Sequence, residues 1–234
     1  MIAREGLPFI VIGLALTVVF ILGASRWNSG WLFGLSVVLG ILTLFTTFFF
    51  RDPVRAVEPT PGMLVSPADG TVIRIDTVDS QAYIGGKAVK VSIFLSVFNV
   101  HVNRVPASGR IDYVKYNPGK FFAAWADKAS ELNEQTEIGM TTFEGQKIIF
   151  KQIAGLIARR IVCRLTPQEA VEAGQKFGMI RFGSRAEVFV PVGSTVNVKR
   201  GDKVAGGRTI IGYLPVANGM GRPPEPSKAE REQL

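Results

Sequence analysis

Ala88-Val89-Lys90-Val91-Ser92-Ile93-Phe94-Leu95-Ser96 is a short, β-branched run with Gly85-Gly86 just before it and Asn99 just after. That length and composition predict a strand. Outward along the chain the same texture returns at Thr71–Ile75, Arg110–Val114, Lys147–Gln152, Arg159–Leu165, Ala186–Val190 and Thr209–Leu214, each run broken by Gly, Pro, Asn or Asp. Helical candidates in this part are few. They are Phe121–Asn133 and a turn or two around Pro167–Ala173, where Thr166 and Glu169 have capping-box spacing. The expected fold class is mainly β (α+β), a β-sandwich or barrel-sandwich-like body spanning 51–217 with minor helices. The tail, 218–234, holds Gly, Pro and charge without an apolar period and is expected to be disordered.

The first fifty residues differ. Gly6–Ser25 is a run of 20 residues without a charge, and another 24 separate Arg26 from Arg51. About 20 apolar residues cross a hydrocarbon core, so both runs are long enough to span. The short linker at 25–30 makes them antiparallel neighbours, with Trp27 and Trp31 at the turn, where interfacial aromatics belong. A signal peptide has one shorter apolar region, so two long runs argue against it. Residues 1–50 are therefore expected to be a membrane-anchoring helical hairpin. Arg4 at its entry and Arg51 and Arg55 at its exit favour the cytoplasmic side for both ends.

The chain has 234 residues, a net charge of +8, one Cys and one His. Cys163 alone cannot form an intramolecular disulfide, and a single Cys with a single His argues against a zinc site, so no metal is expected. Residues 1–50 carry +1, which leaves +7 on the remainder. A basic body tethered to a membrane meets anionic lipid first. Phe121, Phe122 and Trp125 would suit base stacking, but no nucleic-acid motif accompanies them, and nucleic acid is not expected as a partner.

A faint repeat is visible: Pro67-Ala68-Asp69-Gly70-Thr71-Val72 returns 39 residues later as Pro106-Ala107-Ser108-Gly109-Arg110-Ile111. Each is a turn feeding a strand. A further turn-rich unit, Val192–Val196 followed by Gly201–Val204, resembles the strand–turn pattern of biotinyl/lipoyl domains.

Three places hold chemistry. Asp69 precedes Gly70 in a turn. His101, the only imidazole, ends an apolar run beside Asn99, Asn103 and Arg104. Gly183-Ser184 precedes a strand, and a small residue before a hydroxyl lets that hydroxyl reach the preceding carbonyl. A base that activates a serine is commonly oriented by a carboxylate, and His101 with Asp69 is the natural pair. Arg104, a guanidinium fork matched to phosphate or carboxylate, and Asn103 are candidate substrate-binding residues.

Taken together, SPADG (66–70), FLSVFNVHVNRVP (94–106), LNEQTE (132–137), IAGLIARRIV (153–162) and FGSRAEVFVP (182–191) resemble the phosphatidylserine decarboxylase family in its short bacterial form. The resemblance implies a proenzyme that cleaves itself between Gly183 and Ser184, leaving a large chain 1–183 and a small chain 184–234 as a heterodimer. It implies that Ser184 becomes a covalent pyruvoyl cofactor, which forms a Schiff base with phosphatidylserine and accepts the electrons released with CO₂. The product would be phosphatidylethanolamine, with an anionic membrane as the setting. Longer relatives have two histidines in this strand. On an ungapped match His101 falls on the first, tied to decarboxylation, and Arg104 on the second, the base for self-cleavage. Either His101 serves both steps or cleavage uses another base. Two other classes compete: a membrane-tethered biotinyl/lipoyl-like carrier, which lacks a Met-Lys-Met-type turn here, and a serine hydrolase using Ser184, His101 and Asp69.

Overall fold

The structure is a computed structural model that describes residues 1–80, 82–125, 129–156, 161–180 and 184–215. It opens with two long helices, α1 (Leu7–Trp27) and α2 (Gly30–Phe49). Asn28 ends α1 in the left-handed conformation, φ 48°, and its amide bonds to the Ala24 carbonyl, which turns the chain back on itself. The two helices approach closely where Gly13 meets Thr43: a Cβ on Gly13 would lie 2.4 Å from Thr43 Oγ1. Hydroxyls in these apolar helices bond back to their own backbone, Thr17 to the Gly13 carbonyl and Thr43 to that of Leu39. Both helices are long and apolar enough to cross a membrane, and little of either is buried within the protein.

At its base the hairpin is fastened to the body. The Ala3 amide donates to the Phe50 carbonyl at 2.8 Å, and the Asp52 amide to that of Met1 at 2.8 Å. Phe49 and Phe50, both buried, pack with Val100, Val102 and Met179.

Among the described residues the body holds fourteen strands in three sheets. In chain order they begin with β1 (Met63–Val65), β2 (Gly70–Ser80), β3 (Gly86–Leu95), β4 (Val102–Arg104) and β5 (Gly109–Asn117). A four-residue helix, α3 (Ala129–Leu132), precedes β6 (Gln135–Thr142) and β7 (Lys147–Ile153). Then come β8 (Ile161–Cys163), β9 (Ala170–Val171), β10 (Lys176–Ile180), β11 (Ser184–Pro191), β12 (Thr195–Val196), β13 (Lys203–Val204) and β14 (Ile210–Tyr213). The expected mainly-β class with a preceding apolar helical pair holds.

The topology is a nested repeat. Seven strands, β1–β3 and β11–β14, form one unit, and the seven between them, β4–β10, form the other. The eight-stranded sheet runs β13-β2-β3-β11-β7-β6-β5-β9, a palindrome about the β11–β7 pair. The two small sheets, β1-β14-β12 and β4-β10-β8, correspond strand for strand. Irregularities recur in step. The β2/β3 ladder shifts register between Val72 and Arg74, and β5/β6 shifts between Ile111 and Tyr113. Close approaches recur too: a Cβ on Gly70 would sit 2.2 Å from the Phe94 carbonyl oxygen, and one on Gly109 2.3 Å from that of Thr141. The two units clasp through a reciprocal pair of bonds, Val65 N–H to Pro106 O and Arg104 N–H to Pro67 O, each 2.8 Å. Matched residues such as Val72 and Ile111, or Ile93 and Met140, meet in one shared apolar core. Burying each such side chain contributes roughly 1.5–3 kcal/mol. The faint 67–72/106–111 repeat is thus the visible part of a duplication covering most of the body.

Two helical expectations fail. Phe121–Asn133 is helical only at Ala129–Leu132 within its described part. Its irregular remainder is held by side chains: Asn133 receives the Phe122 amide at its Oδ1 and donates to the Phe122 and Ala154 carbonyls. At Pro167–Ala173 the capping contact from the Thr166 amide to Glu169 forms at 3.0 Å. Gln168, however, has φ 70°, its amide donates to the Ile111 carbonyl of β5 and the Ile111 amide to the Glu169 carbonyl, so the segment becomes a turn feeding β9. The expected disordered tail lies outside the described residues.

Candidate active site

Ser184 is the first residue of β11, paired with Leu95 at the end of β3. It is fully buried, and its Oγ has no hydrogen-bond partner among the described residues. The nested repeat explains this address. In the second unit the matching β6–β7 connection is a tight turn closed by the Thr142 amide on the Gln146 carbonyl. In the first unit that turn is replaced by the entire second unit, and Ser184 stands where the chain re-enters β11. Gly183 lies outside the described residues.

His101 follows the turn after β3 and leads into β4. The Asn99 carbonyl lies 2.9 Å from Nδ1. A carbonyl only accepts, so Nδ1 carries the proton in the neutral ring and Nε2 keeps its lone pair. Nε2 is buried and has no partner among the described residues. One face of the ring lies against Phe49, centroids 4.1 Å apart. Burial pushes the imidazole down to about 4; the Asn99 bond and the Asp69 charge oppose this, and Arg51 reinforces it. The His101 carbonyl receives the Ile180 amide at 3.4 Å. Ile180 is thus tied to His101 itself, while Ser184 pairs with Leu95, six residues before His101 in sequence.

Asp69 does not hydrogen-bond to His101. Its Oδ2 accepts from Arg55 Nη2 at 2.8 Å and its Oδ1 from the Gly206 amide at 2.8 Å, and it acts on the imidazole through space. Arg104 is buried, with its guanidinium on the Gly174 and Pro53 carbonyls at 2.9 Å each. It clamps β4 to the connector that follows α2. Asn103 accepts from Gln152 Nε2 at 2.9 Å, while its Nδ2 has no partner among the described residues.

Sequence reasoning missed the scaffold behind Ser184. Arg185 and Glu187 lie on one face of β11, opposite the Ala186 and Val188 side chains that enter the core. Arg185 donates through Nε to the Ala124 carbonyl at 2.7 Å and through Nη1 to Ser130 Oγ at 2.6 Å. Glu187 accepts from Ser92 at 2.9 Å and Ser130 at 2.7 Å. The period-2 spacing of two opposite charges in an otherwise apolar strand was the available signal. Phe49 was missed because it read as part of a spanning run.

The site thus sets a buried serine hydroxyl at a strand entry, without a hydrogen-bond partner among the described residues, and a buried imidazole on one two-fold β scaffold, the features of a β protein that carries a serine and a histidine in its interior. Comparison with known proteins sharpens this. The sequence model of the phosphatidylserine decarboxylase family matches residues 42–212. A "Phosphatidylserine decarboxylase proenzyme" of Desulfotalea psychrophila is 46% identical over 91% of this chain and 96% of its own length. Those of Syntrophus aciditrophicus, at 48% over 90% and 96%, and Symbiobacterium thermophilum, at 45% over 92% and 96%, bear the same name. The chain belongs to the phosphatidylserine decarboxylase family.

Proposed function

We propose that this chain is a proenzyme that cuts itself before Ser184 and then removes CO₂ from the serine headgroup of phosphatidylserine, giving phosphatidylethanolamine. The observation that carries the reading is the fully buried Ser184 hydroxyl, which has no hydrogen-bond partner among the described residues. A hydroxyl with no exposure is closed to an external acyl substrate, which disfavours a serine hydrolase. It remains adjacent to the carbonyl of its own preceding residue, Gly183. Asp69 is bonded to Arg55 and Gly206 rather than to His101, so the triad that a hydrolase would use is not assembled either.

In the cut, the Ser184 hydroxyl passes its proton to His101 Nε2 while Oγ attacks the Gly183 carbonyl carbon. The peptide C–N bond breaks as the amine takes up a proton, leaving an ester. Loss of the Ser184 Cα proton then expels Gly183 as a carboxylate. The residual unsaturated Ser184 hydrolyses, releasing ammonia. Arg104 stays protonated on its two carbonyls and is unsuited as the base, so His101 is the base for the cut. A pyruvoyl group derived from Ser184 supplies a carbonyl that condenses with the substrate amine and an electron sink for the departing carboxylate.

This chain's residues do the rest. The cut need not disperse the fragments, because β11 stays paired along its length with β3 and also with β7, and β14 with β1. Arg185 and Glu187 hold Ala124 and Ser130 over the start of β11. Asn103 offers a buried amide donor to a substrate oxygen. The apolar hairpin spans the bilayer and keeps the basic body beside anionic lipid on the cytoplasmic side. Intact-mass measurement of the purified protein tests the proposal: two chains, 1–183 and 184–234, the smaller without a free amine at its start. A full-length, unmodified and active chain would refute it.

A further inference from the structure

The end of the apolar hairpin is also a wall of the site. Phe49, the last residue of α2, is fully buried, and its ring centroid is 4.1 Å from that of His101 at an interplanar angle of 33°. It cannot easily move aside. Phe50 stands edge-on behind it at 5.0 Å and is pinned through its carbonyl by the Ala3 amide. Arg51 continues the clamp, donating to the Phe48 and Phe98 carbonyls at 2.9 and 2.6 Å. Phe98 and Asn99 belong to the same turn that holds His101 Nδ1. Hairpin end, turn and imidazole thus form one packed unit.

Arg51 at the end of α2 disfavours protonation of the ring, and Asp69 in the β1–β2 turn favours it. Among the other described charged groups on the surrounding elements, Arg104 on β4 is held on the Gly174 and Pro53 carbonyls, Glu5 pairs with Arg164, and Asp52 pairs with Lys176. Exclusion of water, to which the adjacent Phe49 ring contributes, is the largest influence on the ring.

Resting on the reading of His101 as the base for the cut, we infer that Phe49 is its positioning residue. The hairpin end holds the imidazole dry, neutral and protonated on Nδ1, leaving Nε2 free to take the Ser184 proton. The apolar hairpin is then part of the processing machinery as well as an anchor, and the precursor matures only once α2 has docked.

The single histidine makes this measurable. In the full-length Ser184→Ala precursor in detergent micelles, ¹⁵N-histidine NMR reports one imidazole. With Phe49 present it should show the Nδ1–H tautomer and titrate near pH 4. Phe49→Ala should move the midpoint toward the ordinary value of about 6.5, and Phe49→Leu, which keeps the face apolar, should move it much less. In chains synthesised with Ser184 intact, Phe49→Ala should be cut about tenfold more slowly at pH 5.5, where a ring titrating near 6.5 is mostly protonated, and near the normal rate at pH 8. A midpoint unmoved by Phe49→Ala, an Nε2–H tautomer in the parent, or equal slowing at both pH values would each overturn the inference. If Phe49→Ala does not fold, the parent tautomer and the Phe49→Leu midpoint still decide. Failure of the underlying reading looks different: the parent chain with Ser184 would then not be cut at any pH.

Discussion

Where the first β unit has Asp69, its carboxylate bonded to the Gly206 amide, the second has Ser108, its hydroxyl bonded to the Ala173 amide at 3.0 Å. Where the second unit has His101, whose carbonyl receives the Ile180 amide, the first has Gly62, whose carbonyl receives that of Leu214. Where the first has Ser184 opposite Leu95, the second has Gln146 opposite Thr142. The backbone plan is common to both units, and the residues proposed for chemistry stand where the side chains diverge. Duplication supplies a rigid frame twice over. Function requires only that the copies stop matching at a few addresses, and the most consequential address is the turn into which one copy was inserted.

The largest test sets Ser184 against its counterpart. Ser184→Ala should leave the chain uncut and reduce decarboxylation to background, both read on one sample by intact mass and by CO₂ release. Gln146→Ala, at the matching place in the other unit, should cut normally and change stability by no more than about 0.5 kcal/mol. If the two variants behaved alike, the insertion point would have no special standing.

Next in size is the turn that differs. Asp69→Ser copies the second unit into the first and leaves Arg55, whose side chain is only 13% exposed, without its carboxylate. Removing one partner of a largely buried pair should cost about 3 kcal/mol in chemical denaturation. The mirror change, Ser108→Asp, puts a charge where a neutral hydroxyl now accepts the Ala173 amide and should also destabilise.

Comparable in size is a pH effect confined to the unit that holds the imidazole. His101 titrates near 4 when folded, by burial, and near 6.5 when unfolded. Between those values the unfolded chain binds the extra proton. Stability should therefore rise with pH from about 4 to 6.5, full above that window, with a total contribution of up to about 3 kcal/mol. Subtracting the profile of His101→Gln isolates this term from the carboxylates, and a flat difference would show that the ring is solvated.

Smaller and equal effects are expected where the units agree. Gly70→Ala and Gly109→Ala each drive a methyl into a neighbouring strand's carbonyl, and each should cost about 1–3 kcal/mol, with nearly the same value for both. Unequal costs would mean that the shared frame is less symmetric than its registers suggest.

Much of this was legible in the chain. Runs such as Ala88–Ser96 and Ala186–Val190 became strands because β-branched content and short length report local preference directly. The apolar hairpin was legible from charge spacing, and the family from five short motifs. The duplication was almost hidden: only 67–72 and 106–111 keep similar residues, while the rest preserves geometry through apolar pairs such as Ile93 and Met140. Phe121–Asn133 misled because its apolar spacing serves a loop stapled by Asn133, a tertiary role that no period announces. Asp69 was paired with His101 on chemical habit, yet Arg55, fourteen residues earlier in sequence, claims the carboxylate.

The smallest prediction concerns the same turn in both units. Gly201 and Gln168 occupy matched positions: the Gly201 amide donates to Val72 and the Gln168 amide to Ile111, and the two have φ of 99° and 70°. In the first unit glycine adopts this left-handed backbone without a Cβ penalty, whereas Gln168 is held there by its pairing with β5. Gln168→Gly removes that strain, of about 1–2 kcal/mol, but adds roughly 0.5–1 kcal/mol of unfolded-chain freedom, so a net gain near 0.5–1 kcal/mol is expected. That corresponds to about 1–4 °C in Tm for a chain of this size. The reciprocal Gly201→Gln should lose a similar amount. If Gln168→Gly instead destabilised the protein, contacts of the Gln168 side chain would outweigh its backbone strain, and the second unit's turn would owe its shape to that side chain rather than to the duplicated frame.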